Sequence, residues 1–272
     1  MANEADVFLD DTRLQDRGWR FRLSSEEPGL PELRNRTVTV PGRHGHYDFG
    51  AYFGAREFML DAVLERQPTY ADINRKLDEL KAELLDAQGR PKTRKLRFGD
   101  AVDRYFNVRL SGALTVERVA NLAIIKVPLT ASDPHAYSVV SADEITWGSE
   151  IITFDWNYLL GHESGGGVVR VVAPTTQSVT ISGQAVKPVI TLSGAGTNVR
   201  VAANGRAFTL ASLGGATWIV DCESETVTRN GVARFDALNG DFIELLPGNN
   251  VLSIAGSGLN FDFIVKARDI FL

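Results

Sequence analysis

The sequence predicts a mainly β protein in two parts, an α+β first domain with one helix followed by an all-β sandwich. Three observations carry that reading. Charge and glycine usage change near residue 138: residues 1–138 hold 21 Lys+Arg against 21 Asp+Glu, whereas residues 139–272 hold 8 against 13 and carry the whole net charge of −5. Glycine moves the other way, from 9 to 16, as two separately packed domains would show. Only one segment has a sustained helical period, and the second part is a series of short strand-like runs broken by Gly and Asn. The expected domains are therefore 1–138 and 139–272, with the turn "SDPHAY" (Ser132–Tyr137) at their junction.

In the first part, "GWRFRL" alternates Trp19, Phe21 and Leu23 against Arg20 and Arg22, the period of a half-buried strand. "TVTV" (Thr37–Val40) continues as strand. Ile73, Leu77, Leu80 and Leu84 then recur at steps of four and three, placing them on one face of a helix expected over about 69–88. Thr69 is its expected N-cap, and Gly89 and Pro91 mark its expected end. A stripe of barely two heptads reads as a helix lying on a sheet rather than a coiled-coil seam. "KLRFGDAVDRYFNVRL" reads as strand, turn, strand, and "ANLAIIKVPLTA" as a strand with Ile125, Val127 and Leu129 on one face.

In the second part, Asn230-Gly231 between two strand-like runs is the strongest hairpin signal of the chain. "LLPGNNVLSIAG" adds a tight turn before the closing strand "NFDFIVKARDIFL". Trp218, Val220 and Cys222 share a face of "WIVDC", so the single cysteine reads as a core residue and not as a reactive thiol. One cysteine also excludes an internal disulfide.

Candidate chemistry was sought residue by residue. His44 and His46 in "VPGRHGHYDFG" (Val40–Gly50), beside Tyr47 and Asp48, could begin a metal site, and a metal-dependent hydrolase would use them so. Two ligands do not make a site, however, and nothing in the spacing brings His135 or His162 to them. Pro41-Gly42, Gly45 and Gly50 indicate a bend with solvent-facing histidines instead. There is no nucleophile elbow, Walker loop or dinucleotide fingerprint, and Gly165–Gly167 is not followed by Lys-Ser/Thr. No catalytic, cofactor-binding or metal-ligating residue is assigned, and no cofactor is expected.

The basic run "RPKTRKLR" (Arg90–Arg97) reads as a solvated hairpin arm, since a pI near 5.5 argues against a dedicated nucleic-acid binder. Trp147, Phe154, Trp156 and Tyr158 precede the glycine-rich "GHESGGG" (Gly161–Gly167), and the alternation of Phe154, Trp156 and Tyr158 reads as core or inter-domain packing. No signal peptide or membrane-length apolar run is present, so a soluble product kept in a cytoplasm is expected.

The order of these features resembles the distal tail proteins of long, non-contractile-tailed (siphovirus-type) bacteriophages. The segments that carry the resemblance are "VPGRHGHYDFG", the strand pair "LRFGDAVDRYFNVRL" after the helix, and the "SDPHAYS" junction. In the second part they are "PVITLSGAGTNVRV", "IVDCESETVTRNG" and "FIELLPGNNVLSIAG". The resemblance implies a structural protein of the virion tail tip, assembled in the host bacterial cytoplasm, and not an enzyme. It implies a tail-tube-like first domain forming a homohexameric ring, and a galectin-like second domain projecting outward. The implied partners are the tail-tube protein, the tail-tip hub protein and receptor-binding proteins carried on the sandwich, with DNA passing through the ring without specific binding and no membrane involved. An alternative of another class is a carbohydrate-binding adhesin or accessory module, which would expose Trp147, Trp156 or Trp218 to stack on sugar rings.

Overall fold

The structure is a computed structural model and describes residues 4–22, 29–101, 103–119, 121–141 and 167–272. The aromatic stretch Trp147–Tyr158, His162 and most of the "GHESGGG" segment lie outside the described residues. The protein is mainly β, with one α-helix among the described residues. It divides into two compact units, Met1–Ala136 with Leu272, and Tyr137–Phe271.

The first unit is built on an antiparallel sheet. Its strands run side by side in the order Glu4–Ala5, Trp19–Arg22, Arg56–Leu64, Leu122–Ala131, Arg104–Leu110, Arg94–Phe98, Val7–Leu9 and Thr12–Arg13. Thr115–Val119 adds to the strand Leu122–Ala131 as a hairpin. The period-two readings hold. Trp19 and Phe21 point inward, as do Phe58, Leu60, Ala62 and Leu64 on the neighbouring strand and Ile125, Val127 and Leu129 beyond it. The helix Tyr70–Leu84 closes this core with the expected stripe of Ile73, Leu77, Leu80 and Leu84. Each such side chain contributes roughly 1.5–3 kcal/mol by leaving water.

Thr69 caps the helix as expected, its Oγ1 accepting from Asp72 N at 3.2 Å. The C-terminus falls earlier than the sequence suggests. The helix stops at Leu84 because Leu85 turns extended and bridges Pro91. Asp86 then gathers the backbone of the following turn, its Oδ1 accepting from Gln88 N at 2.9 Å and Arg90 N at 2.8 Å. Gly89, at φ +76°, belongs to that turn and not to the helix end.

The second unit is one continuous antiparallel sheet folded into two layers around one core. Two strands, Val189–Ala203 and Gly248–Lys266, pair along nearly their whole length and run through both layers. At one end they pair with Val169–Val171 and Ala216–Asp221, and beyond the latter come Thr226–Arg229 and Val232–Ala233. At the other end they pair with Thr175–Ile181 and Arg206–Ser212, the latter pairing in turn with Leu238–Gly240. The change of layer occurs where the register slips between Ala195 and Arg200, the bend that bulges supply. Gly194 sits at this corner at φ +140°, where a Cβ would lie 2.5 Å from Asn260 O. No other residue fits.

Leu192, Phe261 and Phe263 from one layer and Val201, Phe208 and Leu252 from the other fill the space between them. The expected Asn230-Gly231 hairpin forms, with both residues at positive φ and Arg229 opposite Val232. The stretch leading into this unit and the one leaving it are fastened together. Ser138 N donates to Asp269 O at 2.9 Å, Asp269 N donates to Ser138 Oγ at 3.1 Å, and Ser182 N donates to Asp269 Oδ1 at 3.1 Å.

Candidate functional site

Among the described residues, none of the chemical groups considered in the sequence converges into a reactive site. His44 and His46 lie in an exposed turn, between the strands Leu33–Val38 and Tyr47–Phe53. Gly42 and Gly45 take positive φ there, the conformations the bend requires. His135 pairs locally with Asp133, Nδ1 to Oδ1 at 2.6 Å. Among the described residues, no three His, Cys, Asp or Glu gather as metal ligands. Cys222 is buried, and burial pushes its thiol up to about 11, so at neutral pH it is not a nucleophile.

A recess between the helix and the strand Thr115–Val119 is lined by Asn74, Asp78, Lys81, Val116 and Arg118. Arg118 bridges it by donating to Asn74 Oδ1 at 2.9 Å. It brings together no nucleophile and base.

The basic run 90–97 is exposed at Arg90 and Lys95, as expected, but Arg94 and Arg97 are tied down. Arg94 pairs with Asp10 and Glu83, Arg97 donates to Asp10 O at 2.9 Å, and Arg90 pairs with Asp86. The partners of Arg94 and Arg97, from the Val7–Leu9 hairpin and the helix end, neutralise part of the run's charge within the unit. Trp218 is 3% exposed and its Nε1 donates to Leu213 O at 3.0 Å. It is core, as the sequence reading had it, and offers no face to a sugar; Trp147 and Trp156 are outside the described residues.

What the first unit does present is an arm. Among the described residues, strands Leu33–Val38 and Tyr47–Phe53 pair only with each other, forming a two-stranded ribbon in which every residue is exposed. Its register runs Leu33 opposite Phe53 and Arg34 opposite Tyr52, then slips by one residue at Gly50. Gly50 is at φ +87°, and Asp48 Oδ1 accepts its N–H at 2.9 Å, the arrangement of a glycine bulge. Phe49 and Tyr52 are 59% and 58% exposed, and Leu30, Leu33, Val38 and Tyr47 are likewise exposed. Arg43 lies 4.0 Å over the Tyr47 ring, so the arm mixes cations with aromatic faces.

The arm has a firm root. Gly54 N donates to Glu32 O at 2.7 Å. Arg56, only 7% exposed, donates to Gly29 O at 3.3 Å and lies 4.9 Å from the Phe106 ring centroid. Sequence reasoning identified a strand at Thr37–Val40 and the turn after it, but not that this strand and its partner leave the core. Tyr47, Phe49 and Phe53 carry the same residue types as a buried strand.

Residues 19–131 match the phage tail protein RIFT-related domain, and residues 170–264 match the C-terminal domain of the siphovirus-type tail component. The fold matches the crystal structure of SPP1 Dit (gp 19.1), described as a paradigm of the hub adsorption apparatus in phages infecting Gram-positive bacteria. The TM-score is 0.65 at 18% identity, covering 98% of this chain and 99% of that one. Chains of the phage p2 baseplate in its activated conformation, with Sr and with Ca, align at TM-scores of 0.43 and 0.41 and 10% identity. These cover 99% and 95% of this chain and 99% and 100% of theirs. No curated protein sequence matches.

A helix-backed antiparallel sheet bearing an exposed ribbon, followed by a folded-over β unit, with both halves matching tail domains, defines a siphovirus tail component. The chain belongs to the distal tail protein family, and its place is the tail tip of the virion. Among the described residues, no helix is long and apolar enough to cross a membrane.

Proposed function

We propose that six copies of this chain close head-to-tail into a ring that joins the tail tube to the tail-tip hub and lets DNA pass through its centre. The first unit forms the ring, and the second carries receptor-binding or other baseplate proteins. The role is architectural and not enzymatic. The observation that carries this reading is the arm. A ribbon of two strands with both faces in water is marginal by itself, and an exposed run of aromatic and aliphatic side chains is the mark of a surface awaiting a partner. Contacts within a cyclic ring of more than two copies are heterologous, so an arm on one side of each copy must meet a different surface on the next. A projecting arm suits that geometry better than a flat, self-complementary patch. The neutral charge balance of residues 1–138 also suits a passage that does not retain a polyanion, because retention requires an excess of Lys and Arg.

Negative-stain electron microscopy of the concentrated protein, with light-scattering mass beside it, tests this directly. Six-fold rings with a central hole are expected, with a mass near six chains. The double substitution Phe49→Ser and Tyr52→Ser is expected to abolish them while leaving the melting temperature of the chain nearly unchanged. A chain that stays monomeric, even when mixed with a tail-tube protein, overturns the ring.

A further inference from the structure

The arm and its root differ in a way that bears on when the arm is ordered. All thirteen residues of Leu33–Val38 and Tyr47–Phe53 are exposed, and none belongs to either buried core. Among the described residues, the ribbon's ladder bonds are made between its own two strands. Its side-chain bonds are local as well. Asp48 holds Gly50, Arg43 lies over Tyr47, and Arg36 lies 5.8 Å over Tyr52. Among the described residues, no core residue comes from the ribbon, so opening it forfeits none of the core packing described above.

The root is the opposite case. Arg56 is buried, its guanidinium lies against Phe58 and Phe106, and it reaches Gly29 O at the opening of the arm. From Arg56 onward the chain is the strand Arg56–Leu64, paired over nine positions with Leu122–Ala131. The boundary between a supported and an unsupported backbone therefore falls between Gly54 and Arg56.

We propose that in the free chain this ribbon is hinged at Arg56 and opens independently of both cores, and that it becomes fixed when copies assemble. The second half rests on the ring reading; the first half does not. An arm that is loose before assembly samples more space than a rigid one. It orders only on a correct neighbour, so a misplaced copy gains little from it. Assembly is then coupled to the folding of about two dozen residues, and the isolated chain is protected from closing prematurely.

Amide hydrogen exchange on the full-length chain tests both halves. In dilute solution, at a light-scattering mass of one chain, arm amides are expected to exchange at least ~100-fold faster than the paired amides of Arg56–Leu64 and Leu122–Ala131. After concentration to the assembled mass, arm amides are expected to slow at least ~10-fold while those of the sheet do not change. Arm amides as slow as sheet amides in the dilute chain overturn the hinge and leave the ring reading as it stands. Assembled chains whose arms remain fast overturn the coupling. If no assembly occurs at any concentration, the ring reading and the coupling fall together, and the dilute comparison still decides the hinge. In Arg56→Lys, which keeps the charge but loses the planar group against Phe106, fast exchange is expected to spread into Gly54–Phe58. Spread no further than in the wild type removes Arg56 as the hinge pin.

Discussion

The arm of the first unit and the long strand pair of the second are the same kind of object with opposite fates. Each is an antiparallel pair with a glycine-assisted slip of register, at Gly50 in one and at Gly194–Arg200 in the other. Each carries Phe at regular positions. In the second unit, Phe261 and Phe263 are fully enclosed, flanked by further strands and covered by the opposite layer. In the arm, Phe49 and Phe53 meet water. The pairing of strands is common to both, so pairing is not what separates a stable element from a marginal one. The cover over its faces is, and one element's cover lies within its own chain.

The largest test of this contrast is to remove a ring from each. Phe263→Ala is expected to cost about 3–5 kcal/mol of stability, through lost transfer energy and the cavity left behind. Phe49→Ala is expected to cost less than about 0.5 kcal/mol, as for an ordinary surface position. Denaturant unfolding of the two variants measures both. Equal losses would mean that the arm is packed in solution and that the contrast is false.

A finer cut compares the two glycines. Gly194→Ala places a Cβ against Asn260 O at a positive φ and is expected to destabilise by about 1–3 kcal/mol or more. Gly50→Ala meets nothing within 4 Å. Its strain stays in the arm, so global stability is expected to hold while ring formation weakens. Melting curves and light-scattering mass separate the two effects.

The smallest effect sharpens the comparison at the helix end, an exposed turn that, unlike the arm, is tied down locally. The Arg90 backbone N–H holds the Asp86 carboxylate below its ordinary value of 3.8, against a smaller opposing effect of desolvation. A depressed carboxylate stabilises the fold above its unfolded pKa, and that contribution is lost as pH falls through the folded one. Asp86→Asn is therefore expected to melt slightly earlier than the wild type at neutral pH, with the gap closing below about pH 4. A gap that widens on acidification would reverse the assignment.

Much of the fold was legible in the sequence because periodicity reports which face is inside. The stripe Ile73–Leu84, the alternation of Leu122–Ala131 and the Asn230-Gly231 turn are local signals, and the helix face, strand and hairpin they predict are all present. The distal tail resemblance likewise rested on ordered local segments, and both halves of the chain carry the corresponding tail domains. What was not legible depends on distant partners. Arg94 looks solvated until Asp10, 84 residues earlier, is placed beside it. The helix was read about four residues too long because an Asp86-centred turn leaves the same Gly and Pro punctuation as a helix cap. The arm escaped notice for a related reason. Alternation and aromatic content describe a strand that wants covering, whether the cover comes from the same chain or from another.

The bonds between Ser138 and Asp269 close a loop of chain about 130 residues long. Because Ser138 and Asp269, near the two boundaries of the second unit, are hydrogen-bonded to each other, the two ends of that unit hold one another in place. Loosening either end therefore loosens the other, so the boundaries of the unit open together.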